Sequence, residues 1–517
     1  MTSPKEISVW ERCETGVTGA FRCESFSRLL LRSIAALILG CAVAGCGRVQ
    51  PPPRPRAGAV HLFTHPSSAT DRLRQAVAGA NVVYCIIDAA RADHAHCYGY
   101  PRQTTPNIDR LAEQGMVFEN HFAQFPETKS STATLFTGQY HDTHLAWWTR
   151  TLREGTFTLP QAFRSAGYHT VLFSGNEYAS PMWGLGADFD ECYYKPHLQA
   201  EGYAKPLIFR PEALLEQVKR WFDKKPRTPF FAYVHFMPPH APYIAPPDMS
   251  SRFVGSDPPN AWRGPYPFDG LETERREQER SVDLAFSINR YDSNYCYADW
   301  AVGEVERLLR KAGLLDHTLL IVSADHGEAW GEHGYIGHTR SAWDETIHIP
   351  LVMKFPGGNG PRAWLHGLTQ TVDMLPTLCD LFLMEYPEGH VQGKSLLPLM
   401  AGEVDDVNDY VFARTMGNPP SYAVRSHDWL LILYQGGRLR ALYDLRKDPR
   451  ALRNRIKAEP EKAEEMCAAF RSFAERQLVP PLDYLDPDAP TLEPPPVPAI
   501  KPTEDTLKTM RDLGYLQ

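Results

Sequence analysis

Five short, nearly unbroken apolar runs, at residues 82–87, 170–173, 230–236, 319–322 and 351–355, limit the possible folds most severely. A strand with one wet face alternates polar and apolar residues, whereas a strand covered on both faces stays apolar throughout. Stretches with helical spacing separate these runs. In one, Thr104-Thr105-Pro106 supplies a start, Ile108, Leu111 and Ala112 form a stripe, and Gly115 supplies a stop. A second helix is expected over residues 299–312, leading into the run at 319. Runs alternating with helices predict an α/β fold, with a mostly parallel central sheet flanked by helices. Apolar residues at 43% suffice to fill such a core. The net charge of −8 argues against a nucleic-acid partner held by a basic face.

The first residues read as an export signal. Arg28 and Arg32 precede an apolar stretch over 33–44, which is too short to cross a bilayer, since a spanning helix needs about 20 residues. The ending Val43-Ala44-Gly45-Cys46 resembles the lipobox of bacterial lipoproteins. The resemblance implies a signal peptide over 1–45, lipidation at Cys46, and a membrane partner reached through the lipid. The expected location is the bacterial cell envelope, outside the cytoplasm, and Gly47 leans it toward the outer membrane or cell surface. Residues 46–79, rich in proline and arginine at first, read as a tether. The six cysteines beyond Cys46 show no C-x-x-C pair, which argues against a zinc knuckle or redox motif.

The main unit is expected over 80–401. From 402 the texture changes to short antiparallel strands at 422–424, 429–434 and 439–445, with a Gly436-Gly437 turn and a helix over 460–477. These predict a small α+β subdomain over 402–478. A proline-rich tail over 479–517, with a short helix near 505–513, follows. Nothing in the sequence sets an oligomeric state.

Ligands in open α/β sheets gather at the carboxyl ends of strands. The run at 82–87 ends in Asp88, and the run at 319–322 leads into Asp325-His326-Gly327-Glu328. An Asp-His pair closing a strand places an oxygen and a nitrogen ligand together at the sheet edge.

These residues belong to a longer pattern. Asp88-x-x-Arg91-Ala92-Asp93-His94, Thr105-Pro106-Asn107-Ile108-Asp109-Arg110-Leu111, Leu135-Phe136-Thr137-Gly138, Pro239-His240-Ala241-Pro242-Tyr243 and Asp325-His326-Gly327-Glu328 occur in the order of the sulfatase family, in the alkaline phosphatase superfamily. The chain resembles that family over roughly 81–455. It departs where sulfatases carry the C/S-x-P-S-R source of formylglycine, since Thr128-Lys129-Ser130-Ser131-Thr132 stands there. Ala89 replaces a second strand-end aspartate, and Gly175-Asn176-Glu177-Tyr178 replaces a Gly-Lys-Trp-His segment.

The set Asp88, Thr128, Asp325 and His326 resembles the metal site of phosphoethanolamine and phosphoglycerol transferases in the same superfamily. The resemblance implies one divalent ion on those four residues and Thr128 as nucleophile. Zinc or manganese suits such a set, with calcium as the alternative, although it prefers six to eight oxygens and Ala89 removes one. His338 and His240 match histidines on the substrate side, where they protonate the leaving oxygen or stabilise charge. Arg91 either supports the metal carboxylates or starts a helix, and Lys129 reads as a solvated or supporting charge. Ser130 and Ser131 are rival nucleophiles; His94, His235 and His333 are weaker candidates. The leading expectation is an exported hydrolase of sulfate or phosphate-type esters, its substrate a small molecule, glycan or lipid ester. A transferase to lipid or glycan, and a binding protein that has kept the fold, are the alternatives.

Overall fold

The computed structural model describes residues 68–147, 150–194, 210–259, 284–358, 360–416, 420–437 and 440–486. The expected signal, Cys46, most of the tether and nearly all of the tail lie outside these residues. The last part of the assigned tether is not extended: Ala69–Ala76 is a helix, capped by Ser68 and buried through Leu73.

The central sheet is built from β1 (Asn81–Ile87), β2 (Met116–Phe122), β3 (His169–Ser174), β4 (Glu191–Tyr193), β5 (Phe230–Phe236) and β6 (Thr318–Ala324). A two-stranded ribbon follows, β7 (Ala329–Trp330) with β8 (Ile336–Gly337), and then β9 (Leu351–Lys354) and β10 (Ala363–Gln370) return to the main sheet. The strand order is β10-β2-β9-β6-β1-β5-β3-β4. Only β9 runs against its neighbours; the other pairings are parallel. Every residue of β1, β5 and β6 is buried, which is why these strands lack alternation. All five apolar runs are strands. β2 and β10 carry polar residues on a more exposed side and gave no such signal.

The expected helix at 299–312 proves to be the second half of Leu284–Lys311. Its first half packs through polar groups, which an apolar stripe cannot reveal. Tyr291 Oη donates to the Ala89 carbonyl at 2.7 Å and accepts from Arg91 N–H, and Tyr295 Oη donates to the Arg91 carbonyl. Asp292 accepts from Tyr100 and Arg102 and binds His94. The helix therefore grips the loop that follows β1.

Near the C-terminus, β11 (Val411–Arg414), β12 (Ser421–Arg425), β13 (Trp429–Tyr434) and β14 (Arg440–Asp444) form an antiparallel meander, with Gly436 and Gly437 in left-handed conformation after β13. Helix Pro460–Ala474 covers one face through Phe470 and Phe473. The other face packs on Phe122, Trp343, Ile347 and Leu368 of the larger part, so the meander shares its core with the main sheet. Its edge also ties to the loops at the carboxyl end of that sheet. Arg414 N–H donates to the Gln124 carbonyl, Met416 N–H to the Thr339 carbonyl, and Thr339 N–H to the Pro126 carbonyl. Among the described residues no helix is long and apolar enough to cross a membrane.

Candidate active site

Adjacent strands deliver the site. β1 lies between β6 and β5, and β3 lies beyond β5, so Asp88, Asp325, His235 and Asn176 meet at one edge. Thr128 opens the helix Thr128–Thr137 beside them. Thr128, Asp88 and His326 are completely buried.

Each ionisable group splits its two polar atoms between protein and site. Asp88 Oδ2 accepts from Asn176 Nδ2 at 2.5 Å and faces His235 Nε2 at 3.3 Å, while its buried Oδ1 has no hydrogen-bond partner among the described residues. Asp325 Oδ1 accepts from the Ala89 and His326 N–H groups, while its Oδ2 is likewise left over. His326 Nδ1 donates to the Gly327 carbonyl, which leaves the lone pair on Nε2 facing inward. That Nε2 lies 3.6 Å from Asp88 Oδ1 and 3.6 Å from Asp325 Oδ2. Tetrahedral ligands at about 2.0–2.2 Å from a zinc-sized ion stand about 3.3–3.6 Å apart. The three atoms lie within 4.8 Å of one another. Two orphaned carboxylate oxygens and an oriented imidazole thus fit a divalent cation. Thr128 Oγ1 sits at the same place, 3.4 Å from His326 Nε2.

The charges agree. Burial works to raise the Asp88 pKa, but His240, His235 and His326 together hold it well below the ordinary carboxylate range. Burial opposes charge on His326, yet Asp325 and Asp88 raise its pKa.

Two further histidines close the site. His338 Nδ1 binds Glu328 Oε1 at 3.1 Å, and its ring stacks on His326 with centroids 4.5 Å apart. Burial lowers the His338 pKa despite Glu328, favouring the neutral ring. His240 Nδ1 donates to the Ala241 carbonyl, and its ring meets His338 at 4.8 Å. β7 and β8 carry the loop that presents His338.

Several sequence readings need correction. Lys129 is buried rather than solvated, its Nζ 4.0 Å from the centre of the Trp183 ring, and burial lowers its pKa to about 8. Arg91 neither caps a helix with its side chain nor hydrogen-bonds the two metal-facing carboxylates. It binds Asp93, Glu332 and the Glu328 carbonyl, and so braces the loop between Asp325 and His338. Ser130 Oγ donates to the Ala146 carbonyl and Ser131 Oγ to the Asp325 carbonyl, so both are engaged in holding backbone. At the start of the Thr128 helix the Glu127 carboxylate accepts Ser130 N–H. His94 is bound by Asp292, and His333 lies between Glu345 and the Trp343 ring, both apart from the edge. Sequence reasoning underweighted His235 and gave no role to Asn176 or Glu328.

The fold and the edge together define an α/β protein with a buried cation-type cluster beside a helix-borne hydroxyl. Comparison with known proteins makes the assignment specific. The sulfatase family profile matches residues 80–384, and that of the N-sulphoglucosamine sulphohydrolase C-terminal region matches residues 331–474. The chain belongs to the sulfatase family. It is 22% identical over 468 residues to an N-acetylglucosamine-6-O-sulfatase of Bacteroides thetaiotaomicron, covering 72% of this chain and 82% of that protein. It is 25% identical over 399 residues to a choline-sulfatase of Rhizobium meliloti, covering 68% of this chain and 77% of the relative. The crystal structure of a phosphonate monoester hydrolase of Agrobacterium radiobacter superposes with a TM-score of 0.66 at 23% identity, covering 77% of this chain and 96% of the other.

Proposed function

We propose that this chain hydrolyses sulfate or phosphate-type esters through a covalent ester on Thr128, and not through formylglycine. The single observation that supports this reading is the meeting of Thr128 Oγ1 with the Asp88, Asp325 and His326 atoms in one buried cluster. Asp88, Asp325 and His326, with Thr128, would hold one divalent ion, zinc or manganese rather than calcium given so few oxygens. Such an ion, when bound, favours the threonine alkoxide and draws charge from the ester oxygens.

The chain's own groups do the rest. Thr128 Oγ1 attacks the sulfur or phosphorus, and the alcohol departs with its oxygen. The ring of His240 or His338 takes up the proton that Thr128 gives up and hands it to this oxygen, or stabilises its charge. The Glu328 carboxylate keeps the His338 ring directed into the site. Water then cleaves the Thr128 ester and returns the free hydroxyl.

Sulfate esters of sugars or small alcohols are the first substrates to test, by the relatives' names. The phosphonate monoester hydrolase makes phosphorus esters the second. A panel of chromogenic sulfate, phosphate, phosphodiester and phosphonate esters tests the reading. Thr128→Ser should keep partial turnover and Thr128→Ala should lose it, together with any adduct seen by intact mass. Near-normal turnover in Thr128→Ala, or an adduct on Ser130 or Ser131, would overturn it.

We further propose cleavage before Cys46 and lipid anchoring in the cell envelope. Supporting it is the Val43-Ala44-Gly45-Cys46 sequence. Cys46→Ala should block processing or release the protein from membranes; unchanged processing and attachment would refute the anchor.

A further inference from the structure

Asn176 lies beyond β3, two strands away from Asp88, and is 1% exposed. Its conformation is fixed on every side. Asn176 N–H donates to Ser174 Oγ, and Ser174 Oγ in turn donates to the Asn176 carbonyl. Tyr178 N–H donates to Asn176 Oδ1 at 2.9 Å, an Asx-type turn that occupies the carbonyl end of the carboxamide. The amide end is thereby turned inward. Its two hydrogens reach two acceptors, Asp88 Oδ2 at 2.5 Å and Thr128 Oγ1 at 3.2 Å.

We propose that Asn176 is the positioning residue of the Thr128 hydroxyl, one amide group tying the nucleophile's oxygen to the carboxylate beside it. The inference rests on the reading of Thr128 as nucleophile. A threonine side chain has few rotamers, and a donor on Oγ1 selects the one that faces the cluster. The Asn176 N–H holds Oγ1 at 3.2 Å, on the side where His326 Nε2 lies 3.4 Å away. The same amide holds Asp88 Oδ2, and so turns Asp88 Oδ1 toward His326. A neutral donor performs both tasks without adding charge next to the two carboxylates.

Two substitutions separate this role from a role in loop structure. Asn176→Asp keeps the acceptor for Tyr178 N–H and the shape of the side chain, but removes the N–H donor. Asn176→Ala removes both. The wild-type adduct is first mapped by peptide mass spectrometry with the best chromogenic ester. Expected for Asn176→Asp are a melting temperature of the ion-free protein lowered by the third carboxylate beside Asp88 and recovered on adding Zn²⁺, and kcat lowered about a hundredfold with KM nearly unchanged. Asn176→Ala should lower kcat similarly and weaken Zn²⁺ binding about tenfold, as loss of a group orienting a ligand does. Zn²⁺ affinity is read by competition with a chromogenic chelator, independently of turnover. If Asn176→Asp forms the Thr128 adduct at the wild-type rate, Asn176 serves only the loop and this inference alone fails. A wild-type adduct elsewhere overturns the Thr128 reading and this inference together.

Discussion

Replacing Lys129 by methionine should raise the melting temperature at pH 7, although the lysine adjoins the proposed nucleophile. Burial lowers the Lys129 ammonium from its ordinary 10.5 to about 8. At about 1.4 kcal/mol per pH unit, this places the cost of holding the charge inside the fold at about 3 kcal/mol. The Trp183 ring, 4.0 Å from Nζ, returns about 1 kcal/mol through the cation–π contact. Methionine keeps most of the apolar stem and has no charge to desolvate, so the net gain is about 2 kcal/mol. For a unit of this size that is about 2 °C, using about 2.1 cal/mol/K of unfolding entropy per residue. The pH dependence has a definite sign. Below about pH 8 the lysine is charged in both states and the full cost is present. Between about 8 and 10.5 the unfolded chain holds a proton that the folded one has shed, so wild-type stability rises with pH and the gap to Lys129→Met closes. Scanning calorimetry of both proteins at pH 7, 9 and 10.5 reads this directly. A variant no more stable at pH 7, or a gap constant across the range, would refute the reasoning.

Ion binding should be proton-linked. In the ion-free protein Asp325 and Asp88 raise the His326 pKa against burial, so Zn²⁺ affinity should fall about tenfold per pH unit below that raised value. Chelator competition between about pH 5 and 8 measures it, and a flat profile would remove His326 from the ligands. Glu328→Ala takes away the acceptor of His338 Nδ1 and should lower kcat by about a hundredfold, with Glu328→Gln intermediate; equal rates for all three would show that His338 needs no such support. Ser131→Ala should cost about 1 kcal/mol of stability through its lost hydrogen bond to the Asp325 carbonyl. Adduct formation should be preserved, and its loss would make Ser131 a reacting group.

The central strands were legible because burial on both faces writes an unmistakable run, as at 82–87 and 319–322. Asp88, Asp325 and His326 were legible because they end such runs. His235 was harder, since it sits inside β5 among apolar neighbours and reads as one of them. Asn176 obeys the same strand-end rule after 170–173, but its part depends on β3 lying two strands from β1, an order that no local spacing encodes. The first half of Leu284–Lys311 escaped because Tyr291, Asp292 and Tyr295 pack through hydrogen bonds. Lys129 was misread because lysines are seldom buried.

The three backbone hydrogen bonds from the meander edge through Thr339 to Pro126 and Gln124 bear on how this chain can be recombined. A chimera joined near residue 402 would seem to exchange an accessory module. It would in fact exchange the far anchor of the turn that presents Thr128 and of the loop that presents His338. Grafts from a relative should therefore succeed only when the donor brings an edge strand that reproduces the Arg414, Thr339 and Met416 bonding. Screening such hybrids for Zn²⁺ retention would sort compatible donors before any substrate is known.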